Sequence, residues 1–154
     1  MTAVYLSLGS NLNDREKNLI LAISYLTKNS KIKNLKQTNF LETKPVGFIS
    51  QPDFFNCSIF CDTDMGICEL MYFIQSIENE MGRERIVKWG PRNIDIDIIL
   101  YGECIVNIGN PHIVVPHPEM LNRKFVIKQL LELNAEITYP LSGKKISEID
   151  ASHF

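Results

Sequence analysis

From Ile94 to Ile98, isoleucine alternates with Asp95 and Asp97, the two-residue period of a strand with one buried face. The isoleucines then meet a core, and the two carboxylates emerge side by side on the opposite face. The same reading places a short buried strand at Val4 to Leu8. Gly9 to Asp14 forms a turn in which Asn13 or Asp14 suits a helix cap. A helix follows with Leu19, Ala22, Ile23 and Leu26 on one side. A weakly patterned strand is expected between Ile32 and Glu42. Thr43 to Asp53, with two prolines and a glycine, reads as loop. Phe54 to Thr63 alternates as a third strand. Met65-Gly66 leads into a second helix, apolar at Leu70, Phe73, Ile74, Ile77 and Met81 and ending near Gly82. Pro116 to Leu133 reads as a loop feeding a third helix with Phe125, Leu130 and Leu131 apolar. The tail to Phe154 has no clear pattern.

The order β-α-β-β-α-β specifies an α+β fold of the ferredoxin-like kind, with a C-terminal helical segment added. Its antiparallel sheet carries two helices on one face and leaves the other open to ligands. A chain of 154 residues fits one domain, 1–154, able to bury about 70% of its unfolded surface. It shows no repeat or interdomain linker, and a monomer is expected. The net charge of −2 gives no general attraction to nucleic acid or an anionic membrane. The N-terminal stretch lacks a signal peptide's basic region, and no apolar run approaches the ~18 residues of a membrane span. A cytoplasmic protein is expected. Cys57 and Cys61 fall on one face of their strand but about 13 Å apart, too far to share a metal. Buried, reduced thiols are the better reading.

Residues two apart on a strand are separated by about 6.5 to 7 Å, so Asp95 and Asp97 can converge on one hard cation or on two Mg²⁺ ions roughly 3.5–4 Å apart. Just upstream, Arg83, Arg85, Lys88 and Arg92 stand against a single acidic residue, Glu84. A positive island on a mildly acidic chain points to a small anionic ligand, and its union with two carboxylates suits Mg²⁺-bound polyphosphate. No P-loop, Gly-x-Ser-x-Gly elbow or zincin helix is present. Phe54 and Asn56 share one face of their strand, opposite Phe55 and Cys57. An aromatic ring and an amide pointing the same way suit a planar heterocycle. Each has a plainer reading too. Phe54 and Phe125 fit an ordinary core, His117 a turn, and Glu78 with Gln75 a solvated helix face. Asn56 is harder to dismiss, because a buried amide needs partners. Two other functions share some of these features. A different Mg²⁺-dependent nucleotidyltransferase or phosphohydrolase also uses Asp-x-Asp with arginines. A single-stranded RNA-binding module would use sheet aromatics, but the acidic balance argues against it.

The motif Gly90-Pro91-Arg92-x-x-Asp95-x-Asp97-x-x-Leu100-Tyr101-Gly102 resembles the signature of the hydroxymethyldihydropterin pyrophosphokinases of folate biosynthesis. Further segments match in the same order. They are Leu8-Gly9-Ser10-Asn11-Leu12, Thr43-x-Pro45-x-Gly47 with Gln51-Pro52 and Phe55-Asn56, Gly82-Arg83-x-Arg85, and Val115-Pro116-His117-Pro118 with Arg123-x-Phe125-Val126. The resemblance implies transfer of pyrophosphate from ATP to the hydroxymethyl group of a dihydropterin, leaving AMP. It implies that Asp95 and Asp97 bind two Mg²⁺ ions, with Asp95 also near the pterin hydroxyl. It makes Arg83 and Arg92 catalytic contacts to the phosphates. Gln75, Glu78, Arg85, Lys88, Trp89, Ile98, His117 and Arg123 are its further ATP-binding positions. Thr43, Pro45, Val46, Phe54, Asn56 and Phe125 are its pterin-binding positions. Three departures stand out: the segment Ile86-Val87-Lys88 is short, Lys44 and Val46 alter the pterin loop, and Pro118 stands where an aromatic can occur.

Overall fold

A computed structural model describes residues 1–45, 50–82 and 93–153. Its elements run β1 (Thr2–Ser10), α1 (Arg15–Lys28), β2 (Ile32–Gln37), β3 (Leu41–Thr43), β4 (Phe54–Thr63), α2 (Ile67–Met81) and β5 (Asp95–Tyr101). These are followed by β6 (Val106–Gly109), β7 (His112–Val115), a 3₁₀ turn at Met120–Asn122, α3 (Lys124–Leu133) and α4 (Ile146–His153). The main sheet is antiparallel in the order β2-β4-β1-β5, with β3 also paired to β4. It is mixed α+β, as expected.

The two periodicities divide the core between the sheet's faces. Val4, Leu6 and Leu8 of β1, Cys57, Ile59 and Cys61 of β4, and Ile96 and Ile98 of β5 point to the side covered by α1 and α2. There they meet Leu19, Ala22, Leu26, Leu70, Ile74 and Ile77, all essentially inaccessible to solvent. Burying an aliphatic side chain of this size contributes roughly 1.5–3 kcal/mol. The opposite face carries a second, smaller core in which Tyr5, Ile99 and Leu100 pack on Met120, Val126, Ile127 and Leu130. That core covers only one end of the face. The other end holds the polar residues of the site.

Asp14 proves to be the cap of α1, its carboxylate accepting from the Lys17 amide at 3.1 Å. The expected single strand over 32–42 divides into β2 and β3. The break comes where Thr38 leaves the ladder and its hydroxyl accepts from the Ser58 amide. Thr43 belongs to β3 rather than to the loop. The β6–β7 hairpin is an element the sequence pattern did not reveal, because each strand has only four residues and so too few to display a period. Among the described residues no helix is long and apolar enough to cross a membrane.

Candidate functional site

β1 is the central strand of the site, and two cross-strand rows run through it. Gly9 pairs with Asn56 on one side and Asp95 on the other; Ser7 pairs with Ser58 and Asp97. Directly opposite residues project to the same face of a sheet. Asn56, Asp95, Ser58 and Asp97 therefore share the face not covered by α1 and α2.

A cavity of about 140 Å³ opens over these rows. Phe54 and Phe125 contribute its aromatic surfaces, Asn56 its amide, and Asp95, Asp97 and Arg123 its charges. Ser7, Gly9, Lys44 and Gln51 complete the lining. Gly9 leaves room on this face: a Cβ there would lie 3.0 Å from Asn56 Oδ1 and 3.2 Å from Phe54 Cδ1, tight enough to push both side chains. The Asn56 amide nitrogen donates to Thr43 Oγ1 and, at 3.5 Å, to the Leu41 carbonyl, so β3 fixes the orientation of the side chain. Its oxygen is left on the Gly9 side. Thr43 thus serves the site by holding Asn56, while neither Thr43 nor Pro45 lines the cavity itself.

A larger groove of about 490 Å³ lies on the far side of the aspartates. α2 supplies Gln75 and Glu78, β5 supplies Ile98, and the segment after β7 supplies His117 and Pro118. Asp95 and Asp97 line both spaces and form the wall between them. Glu78 is no mere solvated face. Its carboxylate accepts the Ile96 N–H at 3.0 Å, filling a donor that the edge strand β5 would otherwise leave open midway between the two aspartates.

Two cationic or polar groups flank Asp97. Arg123 Nη1 is 3.7 Å from Asp97 Oδ2, and His117 Nε2 is 3.9 Å from the same oxygen. Burial and the neighbouring Arg123 charge pull the His117 pKa down to about 4, against weaker opposing effects of Glu119 and Asp95. The imidazole is neutral at pH 7. Its Nδ1 accepts from the Glu119 amide at 3.1 Å, which leaves the proton on Nε2, facing Asp97.

Side-chain amides tie the surrounding loops together. Asn11 donates to Gln51 Oε1 at 2.6 Å and to the Pro52 carbonyl. Asn13, held at φ 60°, donates to Asn93 Oδ1, and Asn93 donates to the Met81 carbonyl at 2.7 Å. Arg15 reaches the Asp53 carbonyl and Glu42 and stacks 4.2 Å over Phe55.

Of the residues singled out from sequence, Phe54, Asn56, Asp95, Asp97, Arg123 and Phe125 meet at the first cavity. Gln75, Glu78, Ile98 and His117 meet at the second. Arg123, expected with the nucleotide set, stands on the aromatic side of the aspartates instead. Val46, Arg83, Arg85, Lys88, Trp89 and Arg92 lie outside the described residues. Sequence reasoning passed over Ser7, Gly9 and Gln51 as lining residues and met Lys44 only as a departure in the pterin loop. Only Gly9 and Gln51 lay within recognised motifs.

The fold and site define a class: a small α+β protein in which one carboxylate pair divides an aromatic cavity from a larger groove. The family of 7,8-dihydro-6-hydroxymethylpterin-pyrophosphokinases matches residues 5–135, and the chain belongs to that family. It is 39% identical over 133 residues to the 2-amino-4-hydroxy-6-hydroxymethyldihydropteridine pyrophosphokinase of Bacillus subtilis, covering 86% of this chain and 78% of that protein. It is 42% identical over 154 residues to the bifunctional protein FolKE of Lactococcus lactis, covering 99% of this chain and 44% of that one. The chain spans less than half the length of several of the curated relatives it matches. The fold is similar to that in a crystal structure of Plasmodium falciparum HPPK-DHPS with pteroate. There the TM-score is 0.74 at 13% identity, over 99% of this chain and 42% of that one.

Proposed function

We propose that this chain transfers pyrophosphate from ATP to the hydroxymethyl group of 6-hydroxymethyl-7,8-dihydropterin, giving AMP and the pterin pyrophosphate, a step of folate biosynthesis. The observation that carries this reading is the shared wall: Asp95 and Asp97 line both an aromatic cavity and an adjoining groove. A transfer between two bound molecules needs its charge-handling groups where both can be reached.

In this reading the dihydropterin lies against Phe54 and Phe125, with the Asn56 oxygen accepting from its N–H edge. ATP occupies the groove beside Gln75, Glu78, Ile98 and His117. Arg83, Arg85, Lys88 and Arg92 meet its phosphates, Trp89 is a further ATP-binding position, and Arg83 and Arg92 act on the transferring group. Thr43, at the end of β3, is a pterin-binding position together with Pro45 and Val46. Asp95 and Asp97 are hard oxygen donors on one strand face, and they fit Mg²⁺ better than a softer metal. Among the described residues no group of three or more His, Cys, Asp or Glu gathers, so nucleotide phosphates and water would complete the coordination of two ions. Bound there, Mg²⁺ would neutralise phosphate charge. Asp95 stands beside the place of the pterin hydroxyl and orients it. Arg123, beside Asp97 in the aromatic cavity, offsets the negative charge gathered there.

The strand order β2-β4-β1-β5, with α1 and α2 on one face, supports the ferredoxin-like βαββαβ reading. α3 and α4 are then its C-terminal addition. We take 1–154 as one pyrophosphokinase domain, monomeric and cytoplasmic. Incubation with ATP, Mg²⁺ and the dihydropterin should release AMP in step with pterin pyrophosphate. ADP as the product, or nucleotide turnover independent of pterin, would refute the assignment.

A further inference from the structure

Behind the aromatic cavity, on the reverse face of the sheet, lies an arrangement that the aspartates do not use. Phe54 and Asn56 line the cavity, and the Thr43 hydroxyl holds the Asn56 amide. Each of these residues has a chain neighbour in contact with Arg15. Glu42 precedes Thr43, Asp53 precedes Phe54, and Phe55 falls between Phe54 and Asn56. Glu42 and Phe55 pair directly across β3 and β4, so their side chains share the face turned away from the cavity. There Phe55 packs against the main core.

Arg15, the first residue of α1, takes hold of all three neighbours. Its Nη1 donates to the Asp53 carbonyl at 2.8 Å and its Nη2 to Glu42 Oε2 at 3.1 Å. The guanidinium lies 4.2 Å from the centre of the Phe55 ring. A planar fork can serve two acceptors while it stacks on a ring, and a lysine ammonium cannot. The helix gives no reason of its own for a cation here, because the first turn of an α-helix carries partial positive charge. Stability gives little more. The Arg15 side chain is 28% exposed and that of Glu42 51%, so their ion pair adds little to folding. What the three contacts have in common is their place, each one residue from a group that builds the cavity.

We propose that Arg15 is a positioning residue for the ring-binding cavity. From the back of the sheet it sets β3 against β4 and fixes the chain as it enters β4. The Phe54 ring and the Asn56 amide are thereby placed before the heterocycle arrives. Arg15 itself touches no substrate. The inference rests on the pterin reading above and adds to it the group that presets the pocket. None of its three partners lines the groove assigned to ATP, so its influence is confined to the ring side.

Two variants test this. Arg15→Met keeps the stem beside Phe55 and loses both hydrogen bonds; Arg15→Lys keeps the charge and loses the fork. Each is titrated with 6-hydroxymethylpterin and, separately, with Mg²⁺ and a non-hydrolysable ATP analogue. The pterin dissociation constant should rise about five- to twentyfold in Arg15→Met and less in Arg15→Lys, with KM for the pterin rising more than kcat falls. Affinity for the ATP analogue should be unchanged. A folded Arg15→Met protein with the parent's pterin affinity overturns the proposal, as does an equal loss toward both ligands, which marks a merely structural contact. Should Arg15→Met fail to fold, Arg15→Lys decides, and parent-like pterin affinity there overturns the proposal. A parent protein that binds the ATP analogue but no pterin overturns the functional reading first and this assignment with it.

Discussion

Asp97 and Arg123 face each other at the boundary of the two cavities, with Oδ2 and Nη1 3.7 Å apart and each side chain about one-third exposed. An ion pair at that exposure stabilises a fold by only about 0–1 kcal/mol. The carboxylate therefore adds little to folding, and on the proposed function its part is in the reaction. Asp97→Asn should melt within a few degrees of the parent yet lose roughly a hundredfold or more in kcat. Thermal unfolding and a steady-state AMP assay test this together. A folded Asp97→Asn protein of near-normal activity would contradict the metal assignment.

Gly9 offers a prediction that rests on space alone. A methyl group there would press on Asn56 Oδ1 and Phe54 Cδ1, two groups assigned to the pterin. Gly9→Ala should remain folded, because the intrusion is toward the cavity. Its pterin affinity should fall about ten- to a hundredfold, as sub-ångström displacements of positioning groups do. Isothermal titration with pterin decides the matter, and an unaltered dissociation constant would remove Phe54 and Asn56 from the ring's contacts.

The depressed His117 pKa has a consequence for stability. Between the unfolded value near 6.5 and the folded value of about 4, the unfolded chain takes up a proton that the native imidazole refuses. Stability should therefore decline as pH falls through that window and level off below it, the total being on the order of 3 kcal/mol at most. Burial sets this value first, followed by the charges of Arg123, Glu119 and Asp95. Urea unfolding of the metal-free, ligand-free protein from pH 4 to 7 should show the slope, and His117→Gln should flatten it. An imidazole that titrates near 6.5 by NMR would contradict the burial argument.

The cysteines separate by environment. Burial pushes the Cys57 thiol up to about 12, and burial with the nearby Asp62 charge pushes Cys61 up to about 11. Both are free thiols in the apolar core, and Cys104 is exposed. At pH 8 a thiol reagent should modify Cys104 promptly and reach Cys57 and Cys61 only on unfolding, since the thiolate is the reacting form. Rapid modification of Cys57 in the native protein would show that the sheet face is open.

Much of this was legible in local pattern. A two-residue period marked β4 and β5, and a 3.6-residue period marked α1 and α2, because one face of each element must be apolar to reach the core. The same alternation put Phe54 and Asn56 on one side and the two aspartates on theirs. Nothing in that alternation says which strand neighbours which. The rows Asn56–Gly9–Asp95 and Ser58–Ser7–Asp97 join residues roughly forty to ninety positions apart in sequence, and they exist only because β1 lies between β4 and β5.

Gln129 shows the limit most clearly. On α3 its neighbours Val126, Ile127 and Leu130 announce the buried face, while a glutamine among them reads as solvent-facing. Its burial follows from the packing of α3 against β4, where the Ser58 hydroxyl donates to its Oε1. The amino-acid order by itself determined the elements, their inward faces and the residue types able to hold phosphate, cation and ring, since each follows from neighbours within a few positions. Tertiary structure alone decided that Asp95 and Asp97 would divide two cavities, that Arg123 would stand on the aromatic side, and that the Gln129 amide would be buried. Those outcomes depend on strand order and helix placement, which are set by how the whole apolar surface is buried at once.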